Sequence, residues 1–161
     1  VGGDIRVDSL PMAPVLGNLS HILRNAVDHG LERPGERGEK PEMGILELSV
    51  VERDSGWTVV IRDDGRGIDV DRLSEKALER NCVTRAELDA MSREEKLRLV
   101  FLDGLSSCDV ATDLSGRGVG MSAVLGAVEQ AGGRVDIKSH SGEGTMFTIF
   151  VPKSLASQAA A

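Results

Sequence analysis

Apolar side chains recur every three or four residues along Pro11–Gly30, a spacing that places them on one face of an amphipathic helix. The stripe consists of Val15, Leu16, Leu19, Ile22, Leu23, Ala26 and Val27. Gly30 stands where such a helix is expected to end, and the segment Val1–Leu10 is expected to be extended. Further helices are predicted at Val70–Asn81, after the capping residues Thr84 and Ser92, and at Val119–Ala131.

Four segments with the composition of strands occur as two pairs. The first pair is Ile45–Arg53 with Trp57–Arg62, and the second is Arg134–Ser139 with Thr145–Val151. A short turn separates the strands of each pair, which indicates hairpins. Because the strands do not alternate singly with helices, the order favours an α/β (α+β) two-layer sandwich over a doubly wound parallel sheet.

Segments rich in glycine and charge predict the connections between these elements. Glu32–Gly44 is expected to be a solvated loop, and Gly104–Gly120 a polar connection before the last helix. The charged residues of Asp71–Arg98 are expected to form solvated helix faces. The 161 residues suffice for one domain, which we expect to span residues 1–155, with 156–161 as a frayed tail or the start of a linker.

The composition argues against several classes of function. A net charge of −7 argues against a nucleic-acid partner, because phosphate neutralisation needs a basic surface. No apolar run approaches the roughly 18 residues needed to span a bilayer, so no direct membrane insertion is expected. Cys82 and Cys108 form no close pair, which suggests a reducing, cytoplasmic compartment. Because the chain begins at Val1 rather than Met, we expect it to be part of a larger protein.

Three polar motifs carry candidate chemistry, and the first lies on the first predicted helix. Asn25, Asp28 and His29 stand at positions i, i+3 and i+4 and therefore share one helix face. A neutral amide oxygen is a suitable ligand for Mg²⁺ when phosphates supply the remaining charge. The alternative interpretation is the polar face of an ordinary surface helix.

The second motif, Asp63–Gly67, follows a predicted strand. An aspartate at a strand end can accept a hydrogen bond from the exocyclic amine of adenine, and glycines behind it let a base lie close to the backbone. The alternative is a glycine-rich turn in which aspartate makes local hydrogen bonds.

The third motif, Gly116–Gly120, precedes a predicted helix. Glycines and free N–H groups at a helix start form an anion site that suits a triphosphate, whereas the alternative is a flexible hinge. It is not a P-loop, because no Gly-Lys-Ser/Thr follows.

In this order the motifs resemble those of the GHKL ATPase superfamily, which includes gyrase, Hsp-type chaperones, mismatch-repair proteins and histidine kinases. His21–Gly30 is similar, nearly residue for residue, to the asparagine box of CheA-type chemotaxis histidine kinases. Asp63–Ile68 and Ser115–Met121 are similar to their two glycine boxes, and Gly133–Pro152 is similar to their closing hairpin. The resemblance covers about Val7–Leu155.

The resemblance implies a Bergerat-type GHKL ATPase fold, with a mixed, mostly antiparallel sheet covered by helices on one face. It implies ATP and Mg²⁺ as cofactors, with Asn25 as the metal ligand and Asp63 as the reader of adenine. The segment between Asp69 and Ser115 would be a mobile ATP lid with its preceding helices. The other residues implied to bind the nucleotide are Asp28, His29, Gly65, Gly67, Ile68, Gly116, Arg117, Gly118, Val119, Gly120, Met121 and Thr145.

Position 21 bears on the choice between branches of the superfamily. Branches that hydrolyse ATP with water, such as gyrase, place a glutamate base four residues before the metal-binding asparagine, where this chain has His21. The match is to the CheA-type kinases, so the resemblance implies that His21, Asn25 and His29 are catalytic. A neutral histidine acceptor needs no strong base, and transfer would rest on in-line positioning and charge neutralisation. A gyrase-like hydrolase is the least favoured alternative.

The implied partners are a histidine phosphotransfer domain, the dimerisation and coupling domains of a parent kinase, and a downstream response regulator of a two-component, chemotaxis-like pathway. Asp103 and Leu105 depart from the family pattern, which usually has Pro and Phe there. This departure motivates the second alternative, a degenerate nucleotide-binding switch module without phosphotransfer.

Overall fold

The computed structural model describes residues 9–105 and 120–153, apart from the side chains of Ser9 and Leu10. The helices are α1 (Ser9–Asn25), α2 (Val70–Glu79), α3 (Arg85–Ala90), α4 (Arg93–Arg98) and α5 (Met121–Gln130). The strands are β1 (Leu46–Arg53), β2 (Gly56–Asp63), β3 (Arg134–His140) and β4 (Gly144–Pro152). A π-helical turn (Ala26–Gly30) continues α1, and a 3₁₀ turn (Leu99–Phe101) follows α4.

The four strands form one sheet in the order β1-β2-β4-β3. The two predicted hairpins are β1-β2 and β3-β4, and they join side by side through β2 and β4. All three pairings among these described strands are antiparallel. The register places Asp63, the last residue of β2, opposite Thr145 near the start of β4. The junction of the two hairpins therefore brings two predicted site residues together.

One face of the sheet carries the main apolar core. Residues alternate between buried and exposed along β3, and Trp57, Val59 and Ile61 are buried on β2. Helices α1 and α5 cover this face with Met12, Val15, Leu19, Ile22, Met121, Val124 and Val128. Full burial of each such Val, Leu, Ile or Met side chain contributes about 1.5–3 kcal/mol to stability. The helices thus lie on one face, and the expected α+β sandwich is confirmed.

A second apolar cluster packs α2 and α3 against the 3₁₀ turn that follows α4. Its buried members are Leu73, Ala77, Leu88, Leu99 and Leu105. Reciprocal side-chain to backbone hydrogen bonds of Thr84 with Glu87, and of Ser92 with Glu95, cap the starts of α3 and α4. Residues 70–105 of the predicted lid segment therefore consist of packed helices and the short connections between and after them, and residues 106–115 lie outside the described residues.

The first helix begins earlier than predicted. The extended conformation expected for Val1–Leu10 is wrong for Ser9 and Leu10, which open α1. Pro11 still lies in the first helical turn, where its missing N–H group would have had no helical acceptor. A proline near a helix start therefore fixes the boundary only to within one turn.

Helix ends follow the predicted signals more closely. Gly132 has a φ of 68°, and the N–H of Gly133 donates to the carbonyl of Val128 over 2.8 Å, which ends α5 as the glycine pair predicted. Helix α2 ends at Glu79, two residues before its predicted limit, because Asn81 adopts a φ of 55°.

The loop before β1 is not solvated throughout, so that prediction is wrong for Arg37. Its side chain is 2% exposed, since it forms ion pairs of 3.1 Å with Glu32 and 2.7 Å with Asp64. Opposite charges within the loop and at the end of β2 make this burial possible. Among the described residues, no helix combines the length and the apolar character required to cross a membrane.

Candidate nucleotide-binding site

A cleft of about 430 Å³ opens between α1 with its π turn, α2, the loop after β2 and strand β4. This volume is typical of a small-molecule site. The predicted site residues that line it are Asn25, Asp28, His29, Asp63, Gly67, Ile68, Met121 and Thr145. The fold therefore brings residues from distant parts of the chain to one cleft.

The first motif borders the cleft where α1 widens into its π turn. The N–H of Leu31 donates to the carbonyl of Ala26 over 2.7 Å, five residues earlier. Single π turns in helices are rare, and those that do occur are often found at functional sites. Asn25 is half-buried there, while Asp28 and His29 are exposed. All three line the cleft, as their shared helix face predicted.

The Asp63 carboxylate forms part of the cleft wall and is buried, with 5% of the residue exposed. Its Oδ1 accepts the N–H of Gly65 over 2.9 Å and the N–H of Thr145 over 3.3 Å. Its Oδ2 has no hydrogen-bond partner among the described residues and is not fully enclosed. Burial raises the pKa of Asp63 above its usual range, although the two backbone hydrogen bonds oppose that shift. One acceptor oxygen is thus left for a ligand.

Glycines allow the chain to close behind Asp63. A Cβ atom at Gly65 would lie 2.3 Å from the carbonyl oxygen of Gly30, a distance that no side chain can occupy. Gly67 has a φ of 72°, and a Cβ atom there would lie 2.2 Å from the carbonyl oxygen of His140. Gly65 therefore serves close packing of the backbone, whereas Gly67 both packs closely and lines the cleft.

Ser139 on β3, which belongs to none of the three sequence motifs, organises the neighbouring wall of the cleft. Its Oγ accepts the N–H of Ile68 over 2.8 Å and donates to the carbonyl of Gly144 over 3.0 Å. It also lies 3.0 Å from Oγ1 of Thr145. Ser139 thus fixes two cleft residues relative to each other. A serine within a strand carries no local signal of such a role.

Three cations that were not among the predicted site residues also border the cleft: Arg66, Arg72 and Lys76. Arg72 is exposed, as the expectation of solvated helix faces had it, and Lys76 is half-buried; the two lie at i and i+4 on one face of α2, and that face borders the cleft. Apolar residues complete the lining: Ile22, Ala26, Leu73, Val100, Leu105 and Phe147. The cleft thus combines an apolar surface with cations, which suits a flat ring that carries phosphates.

Other predicted site residues are not brought to this lining. His21 is half-buried on α1, one turn before Asn25, and Gly120 caps the start of α5. Gly116, Arg117, Gly118 and Val119 lie outside the described residues. Their assignment to a nucleotide remains a prediction.

The described part of the chain has no cluster of three or more His, Cys, Asp or Glu that could hold a metal ion by itself. The Asn25 amide makes no hydrogen bond to any described residue, and it borders the cleft beside Asp28. One free amide oxygen fits Mg²⁺ when phosphate oxygens and water supply the remaining ligands. The residues present are therefore compatible with a metal that arrives with the nucleotide.

Comparison with known proteins agrees with this geometry. Residues 16–155 match the family described as histidine kinase-, DNA gyrase B-, and HSP90-like ATPase. The chain is 42% identical over 158 residues to chemotaxis protein CheA of Halobacterium salinarum, and the match covers 96% of this chain and 24% of that protein. It is 39% identical over 155 residues to a gliding motility regulatory protein of Myxococcus xanthus, and this match covers 95% of this chain and 20% of that protein. It is 34% identical over 158 residues to CheA of Bacillus subtilis, with 97% and 24% covered. The chain thus spans about a quarter or less of these relatives.

A solved structure extends the comparison to the fold. The histidine kinase domain of the Erythrobacter litoralis EL346 blue-light activated histidine kinase matches with a TM-score of 0.54. The match covers 94% of this chain and 52% of that chain, at 17% sequence identity. At this identity the likeness bears on the fold alone.

Proposed function

Because this chain belongs to the histidine kinase-, DNA gyrase B- and HSP90-like ATPase family, we propose that its cleft binds Mg·ATP for a protein-histidine kinase. The resemblance to CheA-type ATP-binding domains is confirmed by identities of 34–42% to CheA proteins. The observation that carries the proposal is the buried Asp63 carboxylate, which keeps one acceptor oxygen for a ligand.

Adenine is the base that fits this carboxylate. Its exocyclic amine donates a hydrogen bond, and Asp63 Oδ2 accepts one. The apolar surfaces of Met121, Phe147 and Leu105 border the same cleft and suit the faces of a purine ring. Thr145, fixed by Ser139, is assigned to the same end of the site.

The phosphates are assigned to the side of the cleft lined by Asn25 and His29. Asn25 would ligate Mg²⁺, and the cations Arg66 and Arg72 are available to balance phosphate charge. The glycines of Gly116–Gly120 are assigned to the same phosphates, because N–H groups ahead of α5 would donate to anions. Asp28 is assigned to orienting the metal and its water.

The reaction that we propose is phosphoryl transfer to a histidine of another domain. A neutral imidazole nitrogen attacks the γ-phosphorus while the bond from that phosphorus to the β–γ bridging oxygen breaks, and ADP leaves. The neutral acceptor needs no deprotonation before attack, so in-line positioning and charge neutralisation carry the catalysis. His29, and His21 one turn earlier on α1, are assigned to contacts with the triphosphate.

The partners proposed for the parent protein follow from this reaction. A histidine phosphotransfer domain accepts the phosphoryl group, and a response regulator receives it in turn. Dimerisation and coupling domains complete the kinase. Chemotaxis-like signalling in the cytoplasm is proposed from the CheA relatives.

One observation favours a second candidate, a nucleotide-binding switch that does not transfer phosphate. Leu105, one of the two departures from the family pattern, is 5% exposed and lines the cleft. The altered position is thus part of the site itself. Such a module would bind ATP or ADP, but it would not phosphorylate a histidine acceptor.

Calorimetric titration with ATP and ADP, each with and without Mg²⁺, tests the binding proposal. We expect saturable binding that Mg²⁺ strengthens, and Asn25→Ala should remove the effect of Mg²⁺. Asn18→Ala is the matched control, because this amide lies on the same helix and donates to the carbonyl of Pro14 over 2.8 Å. Binding with an unchanged Mg²⁺ effect in Asn25→Ala would contradict the metal assignment.

Phosphoryl transfer needs its own assay, because binding is common to both candidates. Radiolabel from γ-labelled ATP should appear on a separately purified histidine phosphotransfer domain in the presence of this chain. Nucleotide binding without any labelling of the acceptor would favour the switch module.

A further inference from the structure

The loop between the π turn and β1 carries two cations that contact the residues directly after β2. We call residues 31–45 the clamp loop. Arg37 and Lys40 lie three residues apart within it, and both reach the loop Asp63–Gly67. Neither cation borders the cleft, so both act behind its wall.

Arg37 anchors the side chain that follows the adenine-reading aspartate. Its Nη2 donates to Oδ2 of Asp64 over 2.7 Å, and its Nη1 donates to Glu32 over 3.1 Å. Its Nε donates to the carbonyl of Pro41 over 2.6 Å, which folds the clamp loop back on itself. An arginine that uses three nitrogens in this way fixes the geometry of its partners.

Lys40 anchors the backbone of the same segment. Its Nζ donates to the carbonyl of Asp64 over 2.9 Å and to the carbonyl of Gly65 over 2.7 Å. A third hydrogen bond, of 2.9 Å, goes to Glu32. One ammonium group thus satisfies its three donors and holds two consecutive carbonyls.

These contacts connect directly to Asp63. The N–H of Gly65 donates to Oδ1 of Asp63 over 2.9 Å, so the position of Gly65 sets the direction of the carboxylate. Lys40 holds the carbonyl of that same glycine. A shift of Gly65 would therefore turn Oδ2 away from the exocyclic amine that it is assigned to accept.

We propose that Arg37 and Lys40 are positioning residues that fix the Asp63 carboxylate for recognition of the adenine amine. The inference rests on the proposed nucleotide function of the cleft. It adds a specificity role to a loop outside the three motifs. The competing interpretation is that the two cations only stabilise the fold.

Adenosine and inosine diphosphates separate the two interpretations. They carry the same phosphates, but inosine has a carbonyl where adenine has the exocyclic amine. A positioning role predicts that Lys40→Met weakens ADP binding much more than IDP binding. A purely structural role predicts that both affinities fall by the same factor, or that neither changes.

The experiment is calorimetric titration of the full chain with ADP and IDP, in the wild type and in Lys40→Met. We expect the wild type to prefer ADP by a factor on the order of 100, and Lys40→Met to prefer it only by about 10. Lys153→Met is the matched control, because Lys153 also forms an ion pair, of 2.7 Å with Glu52, at the other end of β1. Its preference should equal that of the wild type.

Each outcome decides a different point. A wild type that binds neither nucleotide, or does not prefer ADP, would contradict the proposed function and not merely the clamp. If the wild type prefers ADP and Lys40→Met keeps the same preference, the positioning role is contradicted and the proposed function is not. If Lys40→Met does not fold by circular dichroism, Lys40→Gln gives the same test with a side chain that keeps one donor.

Discussion

The backbone N–H of Thr145 donates to Oδ1 of Asp63 over 3.3 Å, across the pairing of β4 with β2. The two residues are sheet partners, so the register of the sheet occupies one carboxylate oxygen and leaves the other for a ligand. The pairing of two strands of the core thus sets the position of the carboxylate that we propose to bind adenine. It also places a carboxylate where burial opposes its ionisation.

Asp63→Asn should weaken ADP binding by about tenfold or more and leave the domain at least as stable as the wild type. The amide keeps Oδ1 as an acceptor, but its NH₂ group would face the adenine amine, donor against donor. Removal of a buried charge relieves a desolvation cost. Calorimetry and thermal unfolding measure the two effects. Asp136→Asn, on the exposed side of β3, should change neither.

The stability difference between the wild type and Asp63→Asn should depend on pH. Because the folded-state pKa of Asp63 is raised, its contribution to stability is fully present below the unfolded pKa of about 3.9 and is lost as pH rises through the folded value. The free energy of unfolding of the wild type should therefore increase relative to that of the variant as pH falls below neutrality. Urea unfolding of both proteins between pH 7 and pH 4 measures the difference.

The pH dependence that Glu32 and Asp64 give to stability has the opposite sign. Because both residues are present in the wild type and in Asp63→Asn, their contributions cancel in the stability difference between the two proteins. Partial burial raises the pKa of each, but hydrogen bonds and the charges of Lys40 and Arg37 outweigh it, and the pKa of each is lowered. Their contribution is present above the unfolded pKa and is lost in acid. A wild-type to variant difference that stays constant with pH would contradict the raised pKa of Asp63.

Arg37→Met should lower the free energy of unfolding by about 3 kcal/mol, because Asp64 loses its buried guanidinium partner and Glu32 keeps only Lys40. Lys153→Met breaks an ion pair that is more than a third exposed on average and should cost less than about 1 kcal/mol. Denaturant unfolding at pH 7 compares the two. Equal small losses would show that the buried pairs add no more than surface pairs.

Gly65→Ala should destabilise the domain by about 2 kcal/mol or more and weaken nucleotide binding. The added methyl carbon would lie 2.3 Å from the carbonyl oxygen of Gly30, a backbone atom that cannot move aside as the end of a flexible side chain could. Gly17→Ala is the matched control, since a Cβ atom there meets nothing within 4 Å. In the helix interior it should stabilise the domain by about 0.5–1 kcal/mol. A folded Gly65→Ala with wild-type affinity would contradict the close packing behind Asp63.

Local patterns predicted the elements that position the site. The apolar stripe of α1 gave the face that bears Asn25, and turn signals gave both hairpins. The capping residues Thr84 and Ser92 gave the starts of two short helices. These features could be predicted because each depends on residues within about one helical turn or one hairpin of each other. The start of α1 could not be placed to better than one turn, because a proline is tolerated throughout that turn.

Long-range contacts could not be predicted in this way. Arg37 lies 27 residues from Asp64, and Ser139 lies 71 residues from Ile68. A charged residue in a glycine-rich loop and a serine in a strand give the same local signal whether they are solvated or buried. Arg72 and Lys76 could not be singled out either, because they lie on α2 among many charged residues and nothing local marks the two that border the cleft.

The sequence by itself determined the family, the order of helices and hairpins, and which aspartate ends the strand at the centre of the site. Its motifs are short and their spacing is local, so no packing information was needed to recognise them. Only the tertiary structure decided which oxygen of Asp63 is free, which cations border the cleft, and that Arg37 and Lys40 hold the loop behind it. Those facts depend on the sheet register and on the path of the chain between elements, and both are set by the packing of residues far apart in sequence.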